Sequence, residues 1–357
     1  MEIDCHMLPN ADYEKCVGDC AREIFQALAI RNGRIMVSGA TGLIGQAIVD
    51  CLLWANRTGM TSFKVAALAR NGERAEGRLG MYFGHEDFRF VPGDVNQEIP
   101  EIGDVDYVIH AASNSHPRQY SSDPIGTIRT NVLGTENLLD YARLHQCKRF
   151  VFLSSVEIYG ENRGETEKLR EIDFGYLDCN QLRSGYPESK RLGESLCCAY
   201  AEKYSMDIVI PRLCRVYGPT MGQDDSKALA QFIRKAVDGE DIVLKSEGRQ
   251  HYSYVHVMDA VKAIFYILDR GEKGQAYNVS SELSDIRLRS LAHKLAEIAR
   301  TKVVFELPGE EEKKGYSSAT KAVLDNAKLK KLGWKESFDI DNGLRMTVGI
   351  LKSLVKG

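Results

Sequence analysis

Two short segments in the middle of the chain carry side chains that could together move a proton and a hydride. The first, residues 154–160, contains the hydroxyl of Ser155 and the carboxylate of Glu157. The second contains Tyr186 and Lys190, which are four residues apart and therefore share one face of a predicted helix. On that face the Lys190 ammonium favours the phenolate of Tyr186, which can remove a proton from a hydroxyl that Ser155 also binds. These four residues are the candidate catalytic group.

A glycine-rich turn at residues 39–45 gives this group a context, because a Tyr-x-x-x-Lys pair alone is common on helix surfaces. The turn follows a predicted strand and opens a predicted helix, as a dinucleotide site requires. Gly39 permits the tight turn, Gly42 lets the backbone approach a pyrophosphate at the positive end of the helix, and Gly45 allows close packing. The expected cofactor contacts here are Gly39, Thr41, Gly42, Leu43, Ile44 and Gly45. The alternative is a tight turn that binds nothing.

The end of the second predicted strand bears on the choice between NAD and NADP. An acidic residue there would bind the ribose 2′-hydroxyl and favour NAD, but the chain carries Arg70. Arg70 can pair with a 2′-phosphate or stack on the adenine, which favours NADP slightly and leaves NAD open. Asp94, after the third strand, could contact the adenine edge. Either cofactor would take a hydride at its nicotinamide while Tyr186 takes the proton, and Lys190 would hold the nicotinamide ribose.

Short apolar strands alternate with helical patterns from residue 34 onward, which predicts an α/β fold with a doubly wound parallel sheet of the Rossmann type. Beyond about residue 215 the alternation weakens, which indicates a smaller carboxy-terminal α/β lobe. We divide the chain into an amino-terminal helical extension (1–33), a dinucleotide-binding domain (34–215) and a substrate-binding lobe (216–357). Predicted strands cover 35–38, 64–69, 88–91, 105–110, 149–153 and 207–212, and predicted helices cover 13–30, 43–56, 127–146, 187–205, 226–238, 257–270, 287–300 and 340–354.

Composition excludes several classes of function. The formal net charge is −3, from 47 Lys and Arg against 50 Asp and Glu, and no block of one sign stands out, so nucleic acid is not an expected partner. No apolar run approaches the roughly 18 residues that a membrane span needs, and the acidic amino terminus does not resemble a secretory signal. The nine cysteines are scattered, which predicts reduced thiols and no metal site. We expect a cytoplasmic protein without membrane contact.

The glycine turn, the Ser155 segment and the Tyr186–Lys190 pair occur in an order typical of one family, and residues 110–113, 130–135, 216–219 and 255–259 match it further. On these motifs the chain resembles the extended short-chain dehydrogenase/reductase family of NAD-dependent epimerases and dehydratases, from about residue 33 to residue 351. The resemblance implies a nucleotide-sugar substrate and a tightly bound NAD or NADP that is reduced and re-oxidised within one turnover. The further cofactor contacts that we expect are Val95, Ala111, Ala112, Ser113 and Asn131.

The resemblance also implies a homodimer, built like a four-helix bundle from the helix after Asn131 and the helix that carries Tyr186. Apolar residues at helical spacing on these helices are the expected contacts, with ordinary packing inside the chain as the alternative. They are Leu138, Leu139, Tyr141, Ala142, Leu192, Leu196 and Tyr200.

Within the family the chain looks most like the UDP-glucuronate decarboxylase branch. Arg183 stands three residues before the catalytic Tyr, as in that branch, and the segment from residue 219 to Lys227 resembles its nucleotide-embracing loop. Glu157 matches a glutamate of decarboxylases and 4,6-dehydratases. Dehydratases place an Asp before that glutamate to protonate the departing 6-hydroxyl, whereas this chain has Val156. The resemblance therefore speaks against a standard 4,6-dehydratase.

Two positions depart from the branch. Tyr252 stands where these enzymes usually carry a diphosphate-binding Arg, and Arg215 stands where they usually carry an Asn. A cation is therefore lost at one position and gained at the other. Either Arg215 takes over the diphosphate contact, or the substrate differs from an ordinary UDP-hexuronate. The expected substrate contacts are Arg183, Arg215, Lys227 and Tyr252.

The predicted reaction passes through a 4-keto sugar. Oxidation at C4 turns a C5 carboxylate into a β-keto acid or acidifies the C5 proton, so that the next step is easy. Decarboxylation is the first expectation, because Glu157 is present and the acid for dehydration is absent. The alternatives are a 4-epimerase or a 4,6-dehydratase. An alternative of another class is a catalytically silent nucleotide-binding sensor, against which the intact Ser155, Tyr186 and Lys190 argue.

Overall fold

The computed structural model of the chain describes Met7 and residues 10–115, 117–164, 166–306 and 320–355. The strands are β1 (Asn32–Ser38), β2 (Ser62–Ala69), β3 (Phe88–Pro92), β4 (Tyr107–His110), β5 (Arg149–Phe152), β6 (Ser154–Ser155), β7 (Ile208–Leu213), β8 (Arg215–Tyr217), β9 (Ile242–Leu244), β10 (His251–His256), β11 (Ala276–Val279), β12 (Ser281–Arg287), β13 (Val303–Phe305) and β14 (Lys321–Ala322). The α-helices are α1 (Ala11–Ala27), α2 (Leu43–Arg57), α3 (Gly72–Leu79), α4 (Pro117–Ser122), α5 (Pro124–Leu144), α6 (Gly185–Tyr204), α7 (Ala228–Asp238), α8 (Val257–Arg270), α9 (Leu288–Ala299), α10 (Ala327–Lys330) and α11 (Ile340–Val355). The helices and strands whose bounds the sequence predicts all form, and their ends agree within three residues.

The large sheet is parallel throughout and has the order β3-β2-β1-β4-β5-β7-β11, with β6 pairing β7 beyond the end of β5. The predicted doubly wound Rossmann-type sheet is thereby confirmed. The strand order reverses direction between β1 and β4, which is where ligands bind in open α/β sheets, outside the carboxyl ends of the strands. The glycine turn follows β1 and therefore lies at this point.

The second lobe contains two small sheets. In one of them β10 is central, antiparallel to β12 and parallel to β8 and β14, and in the other β9 pairs β13. Helices α7 and α9 pack against each other, and α7 also packs against α11. This lobe places β8 and β10 side by side, so that Arg215 pairs with Tyr254 in register and lies near Tyr252.

The expected division at residues 215 and 216 does not follow the large sheet. Strand β11 pairs with β7 in parallel, although it lies within the segment assigned to the substrate lobe. Helix α8 leads into it and is almost entirely buried, because it packs on α1, α2 and β7. A parallel strand needs such a crossover helix, so the chain returns to the first domain after β10.

Helix α1 is the predicted amino-terminal helix, and its apolar face packs on α2 and α8. It begins at an Asn10 cap, whose side chain accepts a hydrogen bond from the backbone N–H of Tyr13 at 3.0 Å. Within the described residues, no helix combines the length and the apolar character that crossing a bilayer would require.

The prediction that the apolar α5 residues selected from the sequence form a dimer interface is wrong. Side chains on α5 that the periodicity marks as apolar are buried against the sheet of their own chain, so ordinary packing inside the chain uses that face. These are Leu138, Leu139, Tyr141 and Ala142. On α6, Leu196 and Tyr200 are half-buried against the same core, and Leu192 is exposed. The large apolar side chains that these two helices expose are Ile125, Ile128, Leu133, Leu144, Leu192 and Tyr204.

Candidate active site

A cleft of about 360 Å³ lies between the carboxyl ends of the parallel strands and the second lobe. It brings together most of the residues that the sequence analysis selected. Those that line it are Gly39, Gly42, Leu43, Ile44, Gly45, Ala111, Ser113, Ser155, Glu157, Arg183, Tyr186, Lys190, Arg215, Lys227 and Tyr252. The others lie outside its lining and are Thr41, Arg70, Asp94, Val95, Ala112 and Asn131. Among the residues that the structure describes, no three His, Cys, Asp or Glu side chains come together to hold a metal ion.

The glycine turn fits a dinucleotide pyrophosphate. Gly39 has φ +68°, and a Cβ there would lie 2.7 Å from the Cα of Ala112, while a Cβ at Gly45 would lie 2.2 Å from the carbonyl oxygen of Gly39. A Cβ at Gly42 would meet only that same oxygen, at 3.2 Å, and otherwise open space. Helix α2 begins at Leu43 without a side-chain cap. Its positive end therefore faces the cleft at a position where only glycine leaves room for phosphates.

The two residues expected near the adenosine lie together at the ends of β2 and β3. Arg70 and Asp94 form an ion pair of 3.8 Å, and Arg70 is largely exposed. Asp94 also accepts a hydrogen bond from the backbone N–H of Asn96 at 2.9 Å. The neighbouring Val95 is buried, and its carbonyl oxygen accepts a hydrogen bond from Asn137. The positive charge of Arg70 is thus balanced by a carboxylate beside it.

Asn131 is fully buried behind two residues that line the cleft, Ser113 and Tyr186. The hydroxyl of Ser113 donates to Asn131 Oδ1 at 2.7 Å, and Asn131 Nδ2 donates to Ser189 Oγ at 2.9 Å. The Ser189 hydroxyl in turn donates to the carbonyl oxygen of Tyr186 at 2.8 Å. Asn131 therefore connects Ser113, in the lining of the cleft, to the first turn of α6, and it holds Ser113 and Ser189 in position.

Tyr186 and Lys190 both lie on α6, four residues apart, and both are buried. The Lys190 ammonium donates to the carbonyl oxygen of Leu153 at 2.8 Å and lies 4.8 Å from the centre of the Phe152 ring. Burial lowers the pKa of Lys190 to about 8, although the carboxylate of Glu194 acts in the opposite direction. The ammonium is thus held beside the Ser155 segment at the end of β5.

The Glu157 carboxylate lies between two guanidinium groups. Arg183 Nη2 donates to its Oε2 at 3.0 Å, and Arg215 Nη2 lies 3.5 Å from its Oε1. Its backbone N–H donates to Ser155 Oγ at 3.2 Å, which fixes the turn after β6. Burial raises the pKa of Glu157, but the charges of Arg183 and Arg215 outweigh this effect and hold it below its usual value. Glu157 is therefore a carboxylate at neutral pH.

Arg215 and Tyr252, the two departures from the family pattern, are stacked on each other. The guanidinium carbon of Arg215 lies 3.4 Å from the centre of the Tyr252 ring, a cation–π contact. Two buried nitrogens of this cluster, Arg215 Nη1 and Arg183 Nε, have no hydrogen-bond partner among the described residues. Lys227 adds a third cation, 3.5 Å from Asp225 Oδ2. The cations at this end of the cleft retain donors for an anionic ligand.

Comparison with known proteins supports the family that the sequence motifs indicate. The sequence profile of the NAD dependent epimerase/dehydratase family matches residues 35–280. The chain belongs to this family. It is 28% identical over 318 residues to UDP-glucuronic acid decarboxylase 6 of Arabidopsis thaliana, and the matched segment covers 88% of this chain and 87% of that relative. It is 30% identical over 243 residues to UDP-glucuronic acid decarboxylase 5 of the same plant, covering 68% of each chain.

Solved structures of other epimerase/dehydratase proteins share the fold. A dTDP-glucose 4,6-dehydratase from Streptomyces venezuelae, solved with NAD, has a TM-score of 0.76 and 26% identity, covering 90% of this chain and 97% of that one. The expected family and fold are thus confirmed, and the relatives and neighbours include nucleotide-sugar decarboxylases, dehydratases and epimerases.

One supporting network was missed by the sequence analysis. Glu194 accepts hydrogen bonds from Ser154 Oγ at 2.5 Å and from Arg212 Nη2 at 2.7 Å. It thereby joins α6, which carries the tyrosine and lysine, to the strand that carries Ser155. Glu194 lies four residues after Lys190, so the signal was a further residue on the same helical face. Its partner Arg212 lies 18 residues further along the chain in the buried strand β7, and the pairing of β7 with β6 places it beside Ser154.

Proposed function

We propose that this protein oxidises C4 of a nucleotide sugar that carries a C5 carboxylate and then decarboxylates it, as a UDP-glucuronate decarboxylase does. The observation that carries the proposal is the position of Arg183, Arg215 and Glu157 in one cleft with Tyr186 and Lys190. The cations suit a substrate with a diphosphate and a carboxylate, and the tyrosine and lysine suit oxidation of a hydroxyl. The decarboxylase relatives support the same assignment.

The residues divide the chemistry as follows. When bound at the glycine turn, the cofactor supplies a reversible hydride acceptor for C4. Lys190 stabilises the phenolate form of Tyr186. That phenolate removes the proton of the C4 hydroxyl and becomes a neutral phenol, while Ser155 donates a hydrogen bond to the same sugar oxygen. The C4 ketone makes the C5 carboxylate a β-keto acid. The C5–carboxyl bond can therefore break, so that carbon dioxide leaves and the electron pair of the broken bond forms an enolate with the C4 ketone. A proton from water then adds at C5, and Tyr186 returns its proton to the C4 oxygen as the hydride returns to C4.

Two residues favour decarboxylation over dehydration. Val156 is buried and apolar at the position where dehydratases carry their acid, so it has no proton to give to a departing 6-hydroxyl. Glu157 stays ionised because Arg183 and Arg215 lower its pKa. A carboxylate held in this way can orient a sugar hydroxyl or a water molecule, but it does not donate a proton at neutral pH.

We infer that NAD is the cofactor. The ion pair between Arg70 and Asp94 supports this choice, because a carboxylate 3.8 Å from the guanidinium would repel a 2′-phosphate that approached it. The sequence preference for NADP rested on Arg70 without this partner. Loading the protein with NAD and with NADP, and measuring both dissociation constants, tests the choice. Tighter binding of NADP would contradict it.

The reaction is tested by mass spectrometry of products from UDP-, dTDP-, CDP- and GDP-linked glucose and glucuronic acid. We expect loss of carbon dioxide from one glucuronic acid derivative, with Tyr186→Phe as the inactive control. Loss of water would indicate a dehydratase, and a new sugar of unchanged mass would indicate a 4-epimerase. A protein that only senses nucleotides would leave every sugar unchanged and would never show the absorbance of reduced nicotinamide.

We also infer a homodimer through α5 and α6. The two helices pack side by side and leave apolar side chains exposed on both. Ile128, Leu144 and Leu192 are each more than a third exposed, at 41%, 65% and 48%. A second copy of the chain that pairs these helices would remove this apolar surface from water.

A further inference from the structure

A segment of the second lobe lies against the first turn of α2, next to the glycine turn. Thr220 is fully buried there, and its hydroxyl donates to the carbonyl oxygen of Leu43 at 2.7 Å. The next residue, Met221, lines the cleft together with Leu43 and Ile44. The segment therefore covers the end of the cleft at which the α2 amino terminus would receive the cofactor diphosphate.

One arginine ties this segment to the first domain. Arg78 lies in the last turn of helix α3 and is buried, at 7% exposure. Its Nη2 donates to the carbonyl oxygen of Thr220, and its Nε donates to Gln46 Oε1 on α2 at 2.6 Å. A single guanidinium thus joins α3, α2 and the segment. A charged group buried this far is retained only where its hydrogen bonds are made, so Arg78 holds the three together.

Two weaker contacts extend the attachment toward Lys227. Arg74, one turn earlier on α3, lies 3.6 Å from Asp224, and both side chains are partly exposed. The backbone N–H of Arg118 donates to Ser226 Oγ at 3.1 Å. Residues 220–226 are therefore fastened to α2, α3 and α4 of the first domain, immediately before the cation that lines the substrate end of the cleft.

We propose that residues 220–226 form a latch over the cofactor and that Arg78 is the positioning residue that keeps it closed. The cofactor leaves only when the bonds from Arg78 and Thr220 open. The same closure fixes Lys227, so one movement governs both ends of the cleft. The latch explains why a redox cofactor would remain bound through a turnover that reduces and re-oxidises it.

The test measures cofactor release and uses no sugar nucleotide. Protein loaded with NAD is freed of excess by gel filtration and mixed with ethanol and alcohol dehydrogenase, which reduce each NAD that is released. Arg78→Met should release NAD about tenfold faster than the wild type, because hydrogen bonds from a charged group are lost. Arg78→Lys, which can keep one of the two bonds, should lie between them.

Two further variants make the result decisive. Thr220→Val keeps the shape of the side chain and removes only the bond to Leu43, so release should rise about threefold. Arg345→Met removes an exposed arginine paired with Glu297 and should leave release unchanged. If Arg78→Met does not fold, Thr220→Val and Arg78→Lys decide. If the folded Arg78 and Thr220 variants release NAD at the same rate as the wild type, the proposal is overturned, even if their melting temperatures fall.

This proposal rests on the cofactor assignment above and not on the sugar reaction. Failure of decarboxylation in the mass-spectrometric panel would leave the latch intact, because its assay contains no sugar. Failure of the latch variants to change NAD release would leave the reaction assignment intact. The two proposals therefore stand or fall separately.

Discussion

Replacing Arg215 by methionine tests whether this chain has moved its phosphate-binding cation. The substitution keeps an unbranched side chain on the Tyr252 ring, which the guanidinium carbon contacts at 3.4 Å, and removes the charge. In the wild type, Nη2 lies 3.5 Å from Glu157 while the buried Nη1 has no partner among the described residues. A substrate phosphate would use that unpaired donor. We therefore expect Arg215→Met to weaken substrate binding and to leave NAD binding unchanged.

The expected loss is that of one hydrogen bond between charged groups. Such a bond contributes about 1.5–3 kcal/mol, which corresponds to a dissociation constant raised about 10- to 150-fold. A second effect follows at Glu157, which keeps Arg183 but loses Arg215. Its pKa should rise, because one of the positive charges that lower it is gone. The acid side of the activity profile should accordingly move to higher pH.

Calorimetric titration of UDP and of UDP-glucuronic acid into both proteins is the assay. A phosphate role predicts that Arg215→Met weakens UDP about as much as the whole substrate. Arg215→Lys, which restores the charge without the planar stacked group, should recover part of the loss. Equal affinity of UDP for the wild type and Arg215→Met would refute the phosphate role and assign the arginine to the sugar.

Three further results are expected. Tyr186→Phe should retain NAD and lose about a hundredfold or more of turnover, since a positioned proton transfer contributes that much; near-normal turnover in single-turnover assays would remove Tyr186 from the mechanism. Turnover should fall as pH rises through about 8, where the buried Lys190 loses its proton, and Lys190→Arg should move this limb upward because a guanidinium stays charged; an unmoved limb would assign it to another group. Leu192→Asp should give monomers by light scattering, whereas dimers as stable as the wild type would contradict the α5–α6 interface.

The local sequence pattern was sufficient to predict the helices, the strands and the glycine turn. Strand β1 is a short apolar run and helix α2 is an amphipathic run. Gly39 and Gly42 between them, and Gly45 in the first turn of α2, stand where a Cβ would meet neighbouring backbone atoms. Tyr186 and Lys190 lie on one face because four residues make about one turn of a helix. Periodicity could not say which apolar face of α5 meets the sheet. The prediction that Leu138 and Leu139 lie at a dimer interface is therefore wrong, because both belong to the core.

The sequence by itself determined which chemistry is available, because the types and spacing of Ser155, Tyr186 and Lys190 follow from local order along the chain. Only the tertiary structure decided how charges are paired, since pairing depends on strands and loops that are distant in sequence. Arg70 meets Asp94, and Arg215 meets both Glu157 and Tyr252, across separations that no local pattern encodes. These pairings decide which cations are left for a ligand, because a neutralised cation attracts an anion less than a free one does.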